Sequence, residues 1–260
     1  MPTPTPAPTP AEPRPAEGEV VFEEGDLYAL SEGLDRDPQY NERRLVARRK
    51  LAALAKQFVA GPRRPQLPLD SRTSLHAPHA FNGKRVSRLW TYICRDKAEK
   101  SRLKKVVGAD LAKDLDAAFR NAYLCLALEA DRVEVSLRIH ADAWFDGTNL
   151  KRRIDADGPA PLVAILRELD GFTLRMADWK GEWPCGAMEP QRLKEFLGYW
   201  EPGTHALVVE KVWPAPPSQP AARQALFAPE VPGLLLEELE RLVPLYRYAA
   251  WSKESDHLFG

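Results

Sequence analysis

The stretch YLCLALEADRVEVSLRIH, residues 123–140, decides how this chain is read. Its first six residues form a short, continuous apolar run of the kind that is buried on both sides. After EADR the pattern changes: Val133, Val135, Leu137 and Ile139 alternate with Glu134, Ser136, Arg138 and His140. Side chains of a strand point alternately to its two faces, so period two sends the apolar four to a core and the polar four the other way. An antiparallel hairpin accounts for both runs.

Working outward, the continuation IHADAWFDG (139–147) ends on Asp146-Gly147, a pair that signals a turn. Beyond it, NLKRRI reads as a short helical piece, PLVAILREL (161–169) as a helix and FTLRMADW as a strand. EPQRLKEFLGYW (189–200) then reads as a helix and HALVVEKVW (205–213) as a strand. PAPPSQP breaks the chain, and residues 232–251 form an acidic amphipathic helix that Pro244 kinks or divides.

Upstream, NERRLVARRKLAALAKQFVA has the unbranched residues and alanines of a good helix, with Ala47, Leu51, Leu54 and Phe58 on one stripe. Gly61-Pro62 ends it, and GPRRPQLPLD reads as a proline-stiffened loop. RVSRLWTYICRD (85–96) is aromatic and β-branched and reads as a strand. Asp110 is placed to cap a helix, LAKDLDAAFRN, whose Leu111, Leu115 and Ala118 share a face. Helices interspersed among mostly antiparallel strands imply an α+β fold. Residues 1–18, where proline alternates with small residues, are expected to be a disordered tail. Residues 19–260 are expected to form a single domain, with a basic helical part (37–120), a sheet-rich part (121–213) and a C-terminal helical part (230–251).

With 44% apolar side chains in 260 residues, the chain can bury a sizeable core. No apolar run is long enough to span a bilayer and no secretory leader is evident, so no membrane association is expected and the cytoplasm is the expected location. Cys94, Cys125 and Cys185 are odd in number and widely spaced, which supports neither a disulfide framework nor a cysteine zinc site. Cys94 and Cys125 lie in apolar strand-like stretches and read as reduced core residues.

The net charge is zero but unevenly placed: residues 41–120 hold 20 Lys and Arg against 7 Asp and Glu. Such asymmetry points to an anionic partner, or to docking of the basic part on the acidic remainder of the fold. Arg43, Arg44, Arg48 and Arg49 lie along one helix, and Arg95, Lys97, Lys100, Arg102, Lys104 and Lys105 follow a strand bearing Trp90 and Tyr92. Cations supply sequence-independent affinity for nucleic acid and nearby aromatics can stack on bases, so these ten are the candidate nucleic-acid contacts. There is no helix-turn-helix, RNP or zinc-finger signature.

The leading expectation is therefore an interaction module whose basic region binds nucleic acid or another polyanion. An alternative is a hydrolase of phosphate esters or nucleic acid with Glu134, Arg138 and His140 as catalytic residues on the polar sheet face, helped by Asp142, Asp146 or Asp178. A histidine beside an arginine and carboxylates can move protons near neutrality. A third possibility is a component that binds an acidic protein surface. Asp178-Trp179-Lys180 is an acid-x-Lys triplet placed where a metal-dependent nuclease would use it, with Asp155 and Asp157 as candidates for a second acidic ligand. His76 and His79 have HxxH spacing, but no third ligand lies nearby and Pro78 breaks the helix that would present them. No metal site or cofactor is assigned. GxGxxG, P-loop, GxSxG and HExxH motifs are absent, which counts against dinucleotide enzymes, P-loop NTPases, common serine hydrolases and zincins.

Overall fold

The computed structural model describes residues 20–61, 65–74, 85–108, 110, 112 and 115–259. The proline-rich tail, Arg63, Arg64 and the His76/His79 pair lie outside the described residues. Among the described residues, seven strands form one sheet: β1 (Leu69–Thr73), β2 (Arg88–Arg95), β3 (Tyr123–Glu129), β4 (Arg132–Ile139), β5 (Thr173–Met176), β6 (Trp183–Pro184) and β7 (Leu207–Pro214). Their spatial order is β1-β2-β3-β4-β7-β5-β6, with every neighbouring pair antiparallel. The expected hairpin is β3–β4, in register Leu124↔Leu137 and Leu126↔Val135, at the centre of the sheet.

Nine helices of the described chain surround it: α1 (Glu24–Tyr28), α2 (Asn41–Ala60), α3 (Lys97–Val107), α4 (Trp144–Asp157), α5 (Ala160–Arg167), α6 (Pro190–Tyr199), α7 (Pro220–Ala225), α8 (Val231–Arg241) and α9 (Val243–Ala249). The fold is α+β. Ala47, Leu51, Leu54 and Phe58 of α2 are buried in one cluster with Leu89 and Ile93 of β2 and the inward residues of β3 and β4. Leu235 and Leu239 of α8 join the same core, as do Leu193 and Phe196 of α6. Each such side chain contributes about 1.5–3 kcal/mol by leaving water. Pro244 divides the C-terminal helix in two, since proline has no N–H to continue the ladder.

The structure corrects four local expectations. Asp146-Gly147 is not a turn but the first turn of α4. Gly147 is small because of a close approach: a Cβ there would lie 3.0 Å from the Pro202 Cβ. The segment after Asp110 is not a continuous helix; among its described residues only a 3₁₀ turn, Ala118–Arg120, is regular. There the buried Asn121 side chain donates to the carbonyls of Leu115 and Ala117, both at 3.0 Å, doing what an i→i−4 ladder would do. Part of the GPRRPQLPLD loop is the start of β1, which acquires its ladder from β2 beyond the last proline. Finally, Glu134 and Ser136 on the polar face of the hairpin are buried, not solvated.

Asp146 ties these pieces together. Its fully buried carboxylate accepts from the Arg95 guanidinium, from the Ala122 amide at 2.6 Å and from the Trp251 amide at 2.8 Å. Arg95 also donates to Asn121 Oδ1 and to the Trp251 carbonyl. Removing one partner of a buried pair strands the other charge. Asp146→Ala is therefore expected to lower the unfolding free energy by about 3–5 kcal/mol in urea titration, whereas His140→Ala, at a half-exposed site, should change it by roughly 0.5 kcal/mol or less.

Candidate binding site on the second sheet face

The alternation that fills the core also determines what stands on the opposite face. Leu89 and Ile93 point inward, so Arg88, Trp90 and Tyr92 of β2 point outward. From β3 the outward residues are Tyr123 and Cys125, and from β4 they are Glu134, Ser136 and Arg138, with Tyr123 opposite Arg138 and Cys125 opposite Ser136. Phe119, from the 3₁₀ turn, and His140, just past β4, close one end. These side chains, apart from Glu134 and Ser136 buried beneath them, line a cavity of about 360 Å³.

Its rings meet edge to face and at a tilt: Trp90 and Tyr92 are 6.1 Å apart at 72°, Tyr92 and Tyr123 4.8 Å apart at 60°. Phe119 packs edge-on against His140 at 5.5 Å, and the Arg120 guanidinium sits 5.6 Å from the Phe119 ring centre. These walls offer flat apolar surface with polar rims.

Beneath them runs a chain of alternating charge. Arg88 donates to Glu129 Oε1 (2.6 Å) and Glu134 Oε2 (2.8 Å). Arg138 donates to Glu134 Oε1 (2.7 Å) and to Glu210 Oε2 (3.3 Å). Arg175 of β5 donates to Glu210 Oε1 (2.6 Å), and Arg132 to Glu129 Oε2 (2.7 Å). Four arginines thus face three glutamates, so the strip keeps one positive charge. Burial disfavours an ionised Glu134, but Arg138 and Arg88 outweigh it and, with the Ser136 hydroxyl at 2.5 Å, hold its carboxyl at about 2. Burial pushes the Cys125 thiol and the Tyr123 phenol up, so neither is poised as a nucleophile at neutral pH.

Of the three residues expected to be catalytic, the structure brings Arg138 and His140 to the cavity and puts Glu134 under it, locked between two guanidinium groups. His140 Nδ1 accepts the Asp142 amide (3.1 Å) and lies 3.6 Å from the Asp142 carboxylate at the rim. Asp146 belongs to the buried pair already described, and Asp178, Asp155 and Asp157 are exposed on other elements. No carboxylate lines the cavity. Among the described residues no group of three or more His, Cys, Asp and Glu side chains is arranged to hold a metal.

The ten candidate nucleic-acid contacts divide. Arg44, Arg95 and Lys100 are buried and serve the fold: Arg44 donates to the Leu34 carbonyl (2.9 Å), the Asp37 carbonyl (2.5 Å) and Asn41 Oδ1 (3.1 Å), fastening the chain that enters α2. Burial lowers the Arg44 and Arg48 pKa values, against Asp35 and Asp37 for Arg44 and aided by Arg49 for Arg48. Arg48 donates to Thr73 Oγ1 (2.9 Å), Arg43 pairs with Glu23 (3.6 Å) and Arg49 with Glu42 (3.9 Å). These lie on α2, which covers the core face. Lys97, Arg102, Lys104 and Lys105 lie on α3, whose Lys104 bonds Asp116 (2.8 Å), three residues before Phe119. That bond, with Lys100 and Arg72 nearby, lowers the Asp116 pKa. Arg72 stands opposite Tyr92 in the register, so Arg72 and, through Asp116, Lys104 lie on the cavity's side of the sheet.

Arg88, Phe119, Tyr123 and Cys125 were not among the expected site residues. The first was recoverable from the spacing Arg88, Trp90, Tyr92, once the inward Leu89 and Ile93 fix the phase. Phe119 was hidden by the helical reading of its segment. No protein family matches the chain, and no curated protein matches it.

The depressed Glu134 carboxyl has a pH signature. Its folded-state pKa lies below the ordinary 4.5, so its stabilisation is complete above that value and is lost as pH falls towards about 2. The difference in unfolding free energy between wild type and Glu134→Gln should therefore narrow by roughly 3 kcal/mol from neutral pH to the acid end. A pH-independent difference in chemical denaturation would contradict the assignment.

Proposed function

We propose that the protein is a binding module for single-stranded nucleic acid, with the second sheet face as its reading surface. The observation that carries this is the cavity of about 360 Å³ in which Trp90, Tyr92, Tyr123 and Phe119 surround two guanidinium groups. A base can stack on such rings without sequence preference, while Arg88 and Arg138, held in place by Glu134, donate to base edges or phosphate. The α3 cations Lys97, Arg102, Lys104 and Lys105 extend the positive surface along the backbone. Glu134, held ionised between two guanidinium groups with its pKa at about 2, is too weak a base for proton abstraction near neutrality, which favours binding over the hydrolytic reading. The three buried thiols fit a reducing compartment, and we place the protein in the cytoplasm.

A salt titration of binding to labelled single-stranded and duplex DNA and RNA tests this. Affinity should fall steeply with salt, with single strands preferred. Trp90→Ala should weaken binding by roughly 1–3 kcal/mol, about 5- to 150-fold, at an unchanged salt slope. Lys104→Glu with Lys105→Glu should reduce the slope, while Arg49→Glu on α2 should leave both nearly unchanged. Absence of binding at low salt, or full affinity in Trp90→Ala, would sink the proposal. Retention on an acidic protein that survives nuclease treatment would replace it with the protein-partner reading.

A further inference from the structure

Aromatic walls do not tell one base from another, but the hydrogen-bonding groups beside them do. What the sheet-face cavity can offer is whatever the fold has left unspent. Arg138 gives Nε to Ser136 and Nη2 to Glu134 and Glu210, while its Nη1 makes no hydrogen bond among the described residues. Arg88 gives Nη1 to Glu129 and Nη2 to Glu134, and its Nε likewise makes none. Neither nitrogen is a buried orphan, and the two side chains keep 18% and 26% of their surface exposed. Each guanidinium is thus fixed by carboxylates and still holds N–H groups in reserve at the cavity it lines.

The rest of the lining has the same sense. His140 Nδ1 accepts the Asp142 amide at 3.1 Å, so the neutral ring carries its proton on Nε2. Burial keeps the Tyr92 and Tyr123 phenols protonated. A hydroxyl can turn to donate or accept, whereas a guanidinium only donates. Glu129, Glu134 and Glu210 are taken by arginines, and none of them lines the cavity. Its side chains therefore present fixed donors and no fixed acceptor.

That inventory discriminates among bases. Guanine presents two acceptors side by side, O6 and N7, the pair that arginine meets best. Adenine puts an amine where guanine has O6, and cytosine exposes an amine as well. An amine turned towards a guanidinium finds no acceptor, and leaving it unmet costs affinity. Uracil offers one carbonyl at that edge and a smaller ring to stack. At about 360 Å³ the cavity lies near the lower end of the roughly 300–1,000 Å³ of small-ligand pockets, which suits one nucleotide rather than a run of them.

We propose that the sheet-face cavity is a guanine pocket, in which one guanine ring lies against the aromatic walls while O6 and N7 accept from the spare N–H groups of Arg88 and Arg138. This rests on the reading of that face as a nucleic-acid surface and adds the base it selects. The guanine can belong to a strand or to a free nucleotide, since the recognition chemistry is the same.

Fluorescence anisotropy with the full chain tests the pocket. The probes are short labelled single strands of adenine carrying one central guanine, hypoxanthine, 7-deazaguanine or cytosine, with unlabelled GMP and AMP as competitors. Hypoxanthine keeps O6 and N7 and lacks only the guanine amine, so it should bind as guanine does. 7-Deazaguanine, short of one acceptor, should bind about fivefold weaker, and cytosine or adenine about tenfold or more weaker. The salt slope should stay the same throughout, because no phosphate contact changes. GMP should displace the guanine strand at a lower concentration than AMP. Arg88→Lys with Arg138→Lys keeps a cation opposite each glutamate but removes both forks, so the preference for guanine over adenine should fall towards one at a retained salt slope. Should this double variant fold poorly, the base series decides alone.

Equal affinity for every strand, with the steep salt dependence kept, would overturn the guanine pocket and leave the single-strand reading standing. Weaker binding of hypoxanthine than of guanine would reveal an acceptor for the amine and overturn it too. If no strand binds at low salt but GMP binds in preference to AMP, the pocket stands with a free nucleotide as its occupant and the strand reading falls. Binding of neither strand nor nucleotide removes both.

Discussion

The buried Arg95–Asp146 pair is the constraint on which the rest of the structure leans. Arg95 is the last residue of β2, and Asp146 lies in the first turn of α4, fifty-one residues later. Between them they also hold the amide that starts β3, the Asn121 side chain and both backbone groups of Trp251. Desolvating two charges is costly, and the cost is offset only when every remaining donor and lone pair is used, as it largely is here. The pair contributes less through its own attraction than by rejecting any register or helix docking that would leave it incomplete.

With that joint in place, the sheet separates two chemistries. One face is aliphatic and receives α2 and α8. The other holds rings and a strip of alternating charge, and its buried members Glu134, Ser136 and Cys125 are sealed by Arg88, Arg138 and the tyrosines rather than by a helix core. A strip of this kind keeps Arg88 and Arg138 rigid, because each of these guanidinium groups is fixed at two or more points. Rigid donors beside flat rings lose little entropy when a planar anion arrives. The same rigidity withholds Glu134 from proton transfer, so one network both prepares the face for binding and argues against the use of its central carboxylate in catalysis.

Much of the fold was legible in the sequence, since period-two and period-3.6 patterns report directly which side of an element is dry. The β3–β4 hairpin, β2, α2, α5, α6 and the divided C-terminal helix all follow from such patterns. Failures came where tertiary contacts replaced local ones. Asp146-Gly147 has turn composition, yet its aspartate is the hub of a buried network and its glycine makes room for Pro202. Residues after Asp110 have helical composition, but the Asn121 side chain satisfies carbonyls that a helix would have paired. β1 follows a proline-rich stretch and owes its existence to β2. The site was half legible: Arg138 and His140 could be placed on a face, whereas Phe119 needed the third dimension.

The basic third of the chain shows why charge counting is a weak guide to function. Its excess of cations suggested a polyanion-binding region, but Arg44 and Arg95 are spent on backbone carbonyls and a buried carboxylate, and Lys100 is on the buried side of α3. The α2 arginines lie on the helix that roofs the core, and several have carboxylate or hydroxyl partners. What remains on the cavity's side of the sheet is a smaller group, Arg72 of β1 and Lys104 of α3, both beside Asp116. An arginine offers up to five donors in a fixed fork, so it is as apt to organise a protein's own carbonyls as to meet a ligand. Sequence position cannot separate the two uses, because the deciding variable is whether an acceptor from elsewhere in the chain has already taken the fork. For Arg95 that acceptor comes from α4 and the C-terminal segment, on the far side of the sequence, whereas for Arg44 it comes from the carbonyls of the turn just upstream.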